Sequence, residues 1–207
     1  IKDLEKLAQK KVPKMFFDYV NSGSWTETTY NENVSDFQKI KLRQRVAIDM
    51  SNRTLETKMI GQKVAMPMAI APTGLTGMQR ADGEILAAQA AEEFGIPYTL
   101  STMSVCSIEA VAEKTKNPFW FQLYVMKDKK FMERLIDRAK AAKCSALVLT
   151  LDLQLLGQRH KDIRNGLSTP PKLVPKHIYQ VLTRPAWCMR MLTTKNHFFG
   201  NIVGHVD

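Results

Sequence analysis

The sequence predicts an α/β protein built on a parallel sheet. From Pro67 onward, four short apolar runs, at 68–71, 96–100, 119–125 and 146–152, alternate with helical stretches through short connections. Strand and helix repeating in this way, with short links, favour parallel strands. Hydrophobic residues make up 44% of the 207 residues, enough to bury a sizeable core and to exclude a disordered chain.

Residues 1–36 read as short helices. Leu4, Leu7 and Ala8 form one stripe, Pro13 restarts a helix at a first-turn position, and Phe16, Phe17 and Val20 continue it until Gly23. Residues 37–66 are mixed, with short strands expected near 40–42 and 46–48. In the regular part, 82–94 is Ala-rich and helical, with Gly95 as its stop. Ser107 is a good N-cap for a helix through Glu113. Asp128 can cap a helix that puts Phe131, Leu135, Ala139 and Ala142 on one side. Residues 163–206 contain no acidic residue; they carry Lys172, Lys176, Arg184, Arg190 and Lys195 and are interrupted by Pro170, Pro171, Pro175 and Pro185. There Ile178, Val181 and Leu182 share a helical face, as do Trp187, Met191 and Leu192. The expected organisation is a helical extension with lead-in strands over 1–66, four βα units over 67–166, and a basic, proline-containing loop segment over 167–207.

The formal net charge of +10 suits nucleic acid, an anionic membrane surface or acidic substrates. A nucleic-acid binder would want cations interleaved with exposed aromatics, or a recognisable motif, and neither is present, so no nucleic-acid partner is expected. Cys106, Cys144 and Cys188 lack metal-ligand spacing; an odd, sparse set predicts reduced thiols on the cytoplasmic side and no metal site. The charged, amphipathic N-terminus does not read as a signal peptide, and without an initiator Met the numbering is expected to start inside a longer chain. No apolar run reaches the roughly 18 residues of a membrane span.

Strand side chains alternate faces, so Gln122 and Tyr124 point one way, as do Thr150 and Asp152. A buried polar group without a partner costs roughly 1–3 kcal/mol, so four on two apolar strands suggest a polar ligand. Gln122 and Thr150 can each donate and accept, which suits a heterocycle with adjacent carbonyl and N–H groups. The Tyr124 phenol can hold a substrate oxygen. Asp152 needs a partner, and a structural ion pair or a turn cap would serve it equally well. The loop Ala71-Pro-Thr-Gly-Leu-Thr-Gly77 lets a backbone approach a flat or anionic ligand, although an ordinary βα turn reads the same way. Leu100-Ser-Thr-Met103 ends a strand with two hydroxyls. Arg159 offers a fork for a carboxylate, or is a solvated surface residue. Tyr19 places a phenol at a helix end, or simply packs; His160 is given no role. What unites the candidates is that those in the βα region lie at strand C-terminal ends, where parallel barrels bind ligands.

Taken together, Lys11-Val-Pro-Lys-Met-Phe-Phe-Asp-Tyr-Val-Asn-Ser-Gly23, Met66-Pro-Met-Ala-Ile-Ala-Pro-Thr-Gly74, Thr99-Leu-Ser-Thr102, Phe121-Gln-Leu-Tyr-Val125, Leu149-Thr-Leu-Asp152 and Gly157-Gln-Arg159 have a familiar order and spacing. The chain resembles the flavin mononucleotide (FMN)-dependent 2-hydroxy acid dehydrogenase and oxidase family. Residues 167–206, ending in Phe199-Gly-Asn-Ile-Val-Gly-His205, look most like its bacterial membrane-associated L-lactate dehydrogenase branch. The resemblance implies the first half of a TIM (β/α)8 barrel with an N-terminal helical extension, and FMN as cofactor. It implies oxidation of an L-2-hydroxy acid, L-lactate to pyruvate, with electrons passed to a quinone or similar acceptor. Pro72, Thr73 and Gly74 would pack their backbone on the flavin ring, and Ser101, Gln122 and Thr150 would hydrogen-bond its heteroatoms. Tyr19 and Arg159 would bind the substrate carboxylate and Tyr124 its hydroxyl. Asp152 would pair with the family's catalytic His.

That His, its neighbouring Arg, the flavin-ring Lys and the phosphate-binding glycines would lie beyond Asp207. The sequence is therefore expected to be one part of a longer or split protein, a homo-oligomer when complete and inactive without its C-terminal half. The resemblance further implies peripheral attachment to the cytoplasmic face of the inner membrane through 170–200. Leu153-Gln-Leu-Leu156, where the family often has Pro or Thr, reads as a subgroup feature. An inactive partial product and a basic nucleic-acid-binding protein are the competing readings.

Overall fold

The structure is a computed structural model that describes residues 1–152, 155, 157–167 and 174–205. In chain order its elements are α1 (Lys2–Lys11), α2 (Lys14–Val20), α3 (Thr28–Ser35), β1 (Thr57–Met59), β2 (Gln62–Val64), α4 (Thr76–Gln79), α5 (Gly83–Phe94), β3 (Thr99–Ser101), α6 (Ile108–Lys114), β4 (Trp120–Tyr124), α7 (Lys129–Ala141), β5 (Ala146–Thr150), α8 (His160–Asn165), α9 (Pro175–Leu182) and α10 (Pro185–Thr193). They pack as two compact units, one of residues 1–54 and 155–184, the other of 55–154 and 185–207. The basic segment at the end of the chain is thus shared between both.

In the second unit β3, β4 and β5 form a parallel sheet in that order, with Ser101 opposite Gln122 and Tyr124 opposite Thr150. Ile70 adds a parallel bridge to Tyr98, its N–H donating to Pro97 O and its carbonyl accepting from Thr99 N. Strand order follows chain order, as successive βα units require. Leu100, Phe121 and Leu123 meet Ile85, Ala88, Ala91, Ile108, Val111, Phe131, Leu135 and Ala139 in the core. The caps sit where the sequence puts them. The Ser107 hydroxyl accepts from Ala110 N at 3.1 Å and the Asp128 carboxylate from Phe131 N at 3.0 Å. Gly95, at φ +78°, ends α5 in the left-handed conformation a residue with Cβ adopts only with strain. On β5, Leu147 and Leu149 are 47% and 51% exposed.

In the first unit α2 buries Met15, Phe16 and Phe17. The Gln180 side-chain oxygen accepts from Met15 N at 2.9 Å, and Asn165 Nδ2 donates to Asp18 at 2.7 Å. His177 Nε2 lies 2.6 Å from the Asn165 carbonyl. Helix α9 therefore turns His177 and Gln180 inward, while Ile178, Tyr179 and Leu182 are 50%, 69% and 72% exposed.

Three expectations are corrected. No strand forms at 40–42 or 46–48: the chain leaves a 3-10 turn at Lys39 and runs on without a ladder partner, and an apolar run cannot be a strand unless its backbone is paired. The strands of this region are β1 and β2, antiparallel across a two-residue turn. Ile60 and Gly61 both have positive φ, the geometry that suits a tight hairpin, but Ile-Gly lacks the Asn-Gly signature and the strands are polar. The run at 68–71 supplies only the Ile70 bridge, being flanked by Pro67 and Pro72, which have no N–H to offer a ladder. Leu153, Gln154, Leu156, Pro170, Pro171 and Lys172 lie outside the described residues.

Candidate functional site

The C-terminal ends of the three strands carry one hydrogen-bonded row. Gln122 is fully buried; its Nε2 donates to the Thr150 hydroxyl at 2.8 Å, and its Oε1 accepts from the Ser101 hydroxyl at 3.3 Å and from Thr102 N at 3.2 Å. Ser101 Oγ accepts in turn from Met103 N at 3.1 Å. These bonds leave Gln122 one amide hydrogen and Thr150 its hydroxyl hydrogen. The side chains are fixed by one another and still have donors to give, the condition for a preorganised binding row.

Beside this row lies the loop after Ile70. Pro72 and Thr73 are exposed and Gly74 is half-exposed, and the Thr73 carbonyl accepts from the Thr76 hydroxyl at 3.1 Å. The loop is tied to the connection after β3: Leu75 N donates to Met103 O at 3.1 Å. The fully buried Glu84 of α5 accepts through one oxygen from Gly77 N and from Val105 N, each at 2.9 Å. Gly77 packs so closely that a Cβ there would lie 2.6 Å from Val105 Cβ, which explains the second glycine of the motif as a packing requirement.

Tyr124 and Asp152 follow at the ends of β4 and β5. Tyr124 is half-buried; burial first, and then the charge of Asp152, push its phenol above the ordinary tyrosine value. Asp152 is exposed just past β5.

Tyr19 and Arg159 belong to the first unit, and the structure brings them together. Arg159 precedes α8; its guanidinium carbon sits 4.7 Å from the centre of the Tyr19 ring. Its Nη2 donates to the Tyr19 carbonyl and to the Ser22 hydroxyl, the latter at 2.9 Å, while Nε lies 2.6 Å from Asp162 Oδ2. Burial raises the Asp162 carboxyl, and the opposing pull of Arg159 is the smaller effect. This Arg is a positioned, part-buried fork rather than a solvated one. His160 lies edge-on to Trp25, with ring centres 5.9 Å apart.

Sequence reasoning missed Glu84, Thr102 and Asn201. Glu84 had a usable signal, since it falls on the helical face of Ala88 and Ala91, where a charged residue needs a reason. Thr102 Oγ donates to the Gln122 carbonyl at 2.5 Å, and nothing in a pair of adjacent hydroxyl residues distinguishes which one does so. Among the described residues no group of three or more His, Cys, Asp or Glu could hold a metal ion.

A parallel sheet with hydrogen-bonding groups ranked along the C-terminal ends of its strands is the arrangement of a ligand-binding α/β enzyme. The family model of the FMN-dependent dehydrogenases matches residues 8–205, and the chain belongs to that family. It is 45% identical over 201 residues to an L-lactate dehydrogenase of Vibrio parahaemolyticus, covering 97% of this chain and 53% of that protein. It is 46% identical over 201 residues to an L-lactate dehydrogenase of Pseudomonas aeruginosa, covering 97% and 52%. Among solved structures, the monotopic membrane protein (S)-mandelate dehydrogenase superposes with a TM-score of 0.90 at 32% identity, covering 98% of this chain and 54% of that one. A mandelate oxidase superposes with a TM-score of 0.76 at 34% identity, covering 84% and 50%. The chain thus spans about half the length of the curated relatives it matches. Its fold is α/β, the first half of a (β/α)8 barrel with an N-terminal helical extension, and the cofactor of its family is FMN.

Proposed function

We propose that this chain forms the FMN-holding half of an enzyme that oxidises an L-2-hydroxy acid, L-lactate to pyruvate, and passes the electrons to a quinone or similar acceptor. The observation that carries the reading is the Ser101–Gln122–Thr150 row. Its residual donors, beside a loop in which Pro72 and Thr73 are exposed and Gly74 half-exposed, fit the edge and face of a flat heterocycle. When bound, FMN supplies the two-electron sink the oxidation needs.

The remaining roles fall to side chains whose settings suit them. Arg159, oriented by Tyr19 and Ser22, takes the substrate carboxylate with its fork, and Tyr19 assists. Tyr124, with its phenol pushed up, keeps its proton at neutral pH and donates it in a hydrogen bond to the substrate's hydroxyl oxygen. The Asp152 carboxylate accepts the N–H of an imidazole base and favours that base in its protonated form. The base belongs to the remaining half of the barrel, whose helices would also cover Leu147 and Leu149, on the face of β5 that Phe121 and Leu123 share on β4. On its own this chain is expected to be inactive; the complete protein is expected to be a homo-oligomer.

Peripheral attachment to an anionic membrane through 170–200 is supported by Ile178, Tyr179 and Leu182 exposed on α9 and by Met189 and Leu192 exposed on α10; the cytoplasmic face is part of the proposal. Lys176, Arg184, Arg190 and Lys195 fall in the same stretch of sequence. Among the described residues no helix is long and apolar enough to cross a membrane.

The test is anaerobic mixing of the full-length flavoprotein with L-lactate, L-mandelate and glycolate, followed by oxygen or a quinone. Bleaching of the flavin by L-lactate and recovery with the quinone are expected. A flavoprotein that none of the three acids reduces would overturn the proposal.

A further inference from the structure

The segment that follows α10 does more than end the described chain. Gly200 N donates to the Ser104 and Val105 carbonyls, each at 3.2 Å, and a Cβ on Gly200 would lie 2.7 Å from Ser107 N. The next residue, Asn201, is fully buried and uses both ends of its amide. Its Oδ1 accepts from Ile108 N at 2.9 Å and from Arg138 Nη2 at 3.3 Å. Its Nδ2 donates to the Ser104 hydroxyl at 2.9 Å and to the Ser101 carbonyl at 3.4 Å. One amide therefore grips both ends of the connection from β3 to α6, while Glu84 holds its middle at Val105 N. Ser101 begins this connection and starts the row that continues through Gln122.

We propose that Asn201 is a positioning residue for the flavin: by clamping the connection 101–108 it sets the Ser101 hydroxyl, and through it the donors of Gln122. This rests on the FMN reading above. An isosteric change to Asp turns the two donors of Nδ2 into acceptors facing a carbonyl, so the clamp opens at the Ser101 end. The same returning segment offers a control. Thr194 Oγ and Asn196 Nδ2 donate to Asp82 at 2.6 and 2.7 Å and make no bond to 101–108.

The experiment compares Asn201→Asp, Ser104→Ala and Thr194→Val in the full-length protein. It reads the FMN dissociation constant by fluorescence titration, the flavin midpoint potential, and thermal unfolding of the apoprotein. N201D is expected to weaken FMN about tenfold, the weight of one buried hydrogen bond, and to move the midpoint potential. S104A, which folds more readily because it loses only one hydroxyl, is expected to weaken FMN in the same direction by about threefold. T194V is expected to lower the unfolding temperature while leaving FMN affinity within about twofold. Wild-type FMN affinity and potential in both N201D and S104A overturn the proposal. So does a loss of FMN in T194V as large as in N201D at equal loss of stability. A wild-type protein that binds no FMN overturns the cofactor reading itself, and the inference with it.

Discussion

Gln122 on β4 and Thr150 on β5 are joined side chain to side chain at 2.8 Å, across two adjacent strands whose backbones are already paired. The bond uses one of Gln122's amide hydrogens to hold Thr150 and leaves the other for the ligand proposed above. Replacing Gln122 by Leu removes the centre of the row and orphans Ser101 and Thr150 together. The expected result is a loss of about 1–3 kcal/mol in urea unfolding and at least a tenfold weaker FMN complex by fluorescence titration. Gln122→Glu should cost FMN affinity as well, because it loses the amide donors while keeping the size of the side chain.

Arg159 is oriented by stacking on Tyr19 and by bonds that a lysine cannot reproduce in the same plane. Arg159→Lys in the full-length enzyme is expected to lower kcat/KM for an L-2-hydroxy acid by about 10- to 100-fold while leaving the flavin spectrum unchanged. Equal kinetics in steady-state assays would remove Arg159 from the substrate site.

Acid stability should report on Glu109. Two hydrogen bonds from Arg138, each at 2.7 Å, hold its carboxyl down to about 2 from an ordinary 4.5. A depressed carboxyl contributes stability that is present above its unfolded value and is lost as pH falls from 4.5 toward about 2. Because the Glu109 side chain is 56% exposed, screening limits the contribution to about 1 kcal/mol. Asp162 has the opposite sign: its raised carboxyl favours the folded state below its unfolded value of 3.8, and that contribution is lost as pH rises through the folded value. Glu109→Gln should flatten the acid limb of the urea midpoint between pH 5 and 2, and Asp162→Asn should not.

Membrane attachment is expected to depend on 170–200. Removing that segment from the full-length enzyme should release it from vesicles containing anionic lipid in a flotation assay. Neutralising Lys176 and Arg184 by Gln should weaken binding by about 1 kcal/mol per cation, with the effect fading at high salt. Unchanged flotation of the deleted protein would sink the membrane reading.

The elements that sequence reasoning located are those whose signals are local. Ser107 and Asp128 announce the starts of α6 and α7, Gly95 announces the end of α5, and Phe131, Leu135 and Ala139 recur at helical spacing. The runs that became β4 and β5 are apolar enough along their length for hydrophobicity alone to mark them, although β5 itself is half-exposed. The hairpin of β1 and β2 escaped because its residues are polar and its turn is Ile-Gly. The site divides in the same way. Alternation along a strand was enough to put Gln122 and Tyr124 on one face, whereas Tyr19 and Arg159 stand 140 residues apart, and only the resemblance related them. Glu84 and Asn201 act on backbone groups distant in sequence, so no spacing could assign them; the helical face of Glu84 was the sole hint.

The clamp between Ser101 and Asn201 also has a consequence in time. The two residues are 100 positions apart, so Ser101 is synthesised well before its clamp exists. At about 5–20 residues per second, that interval is about 5–20 s. Strand β3 can pair and bury its apolar residues during this wait, but the connection behind it is closed by a contact of high sequence separation, the slowest kind to form. Both α9 and α10 have then left the ribosome before the connection 101–108 is clamped, so under the proposed flavin role cofactor capture would follow the synthesis of both helices.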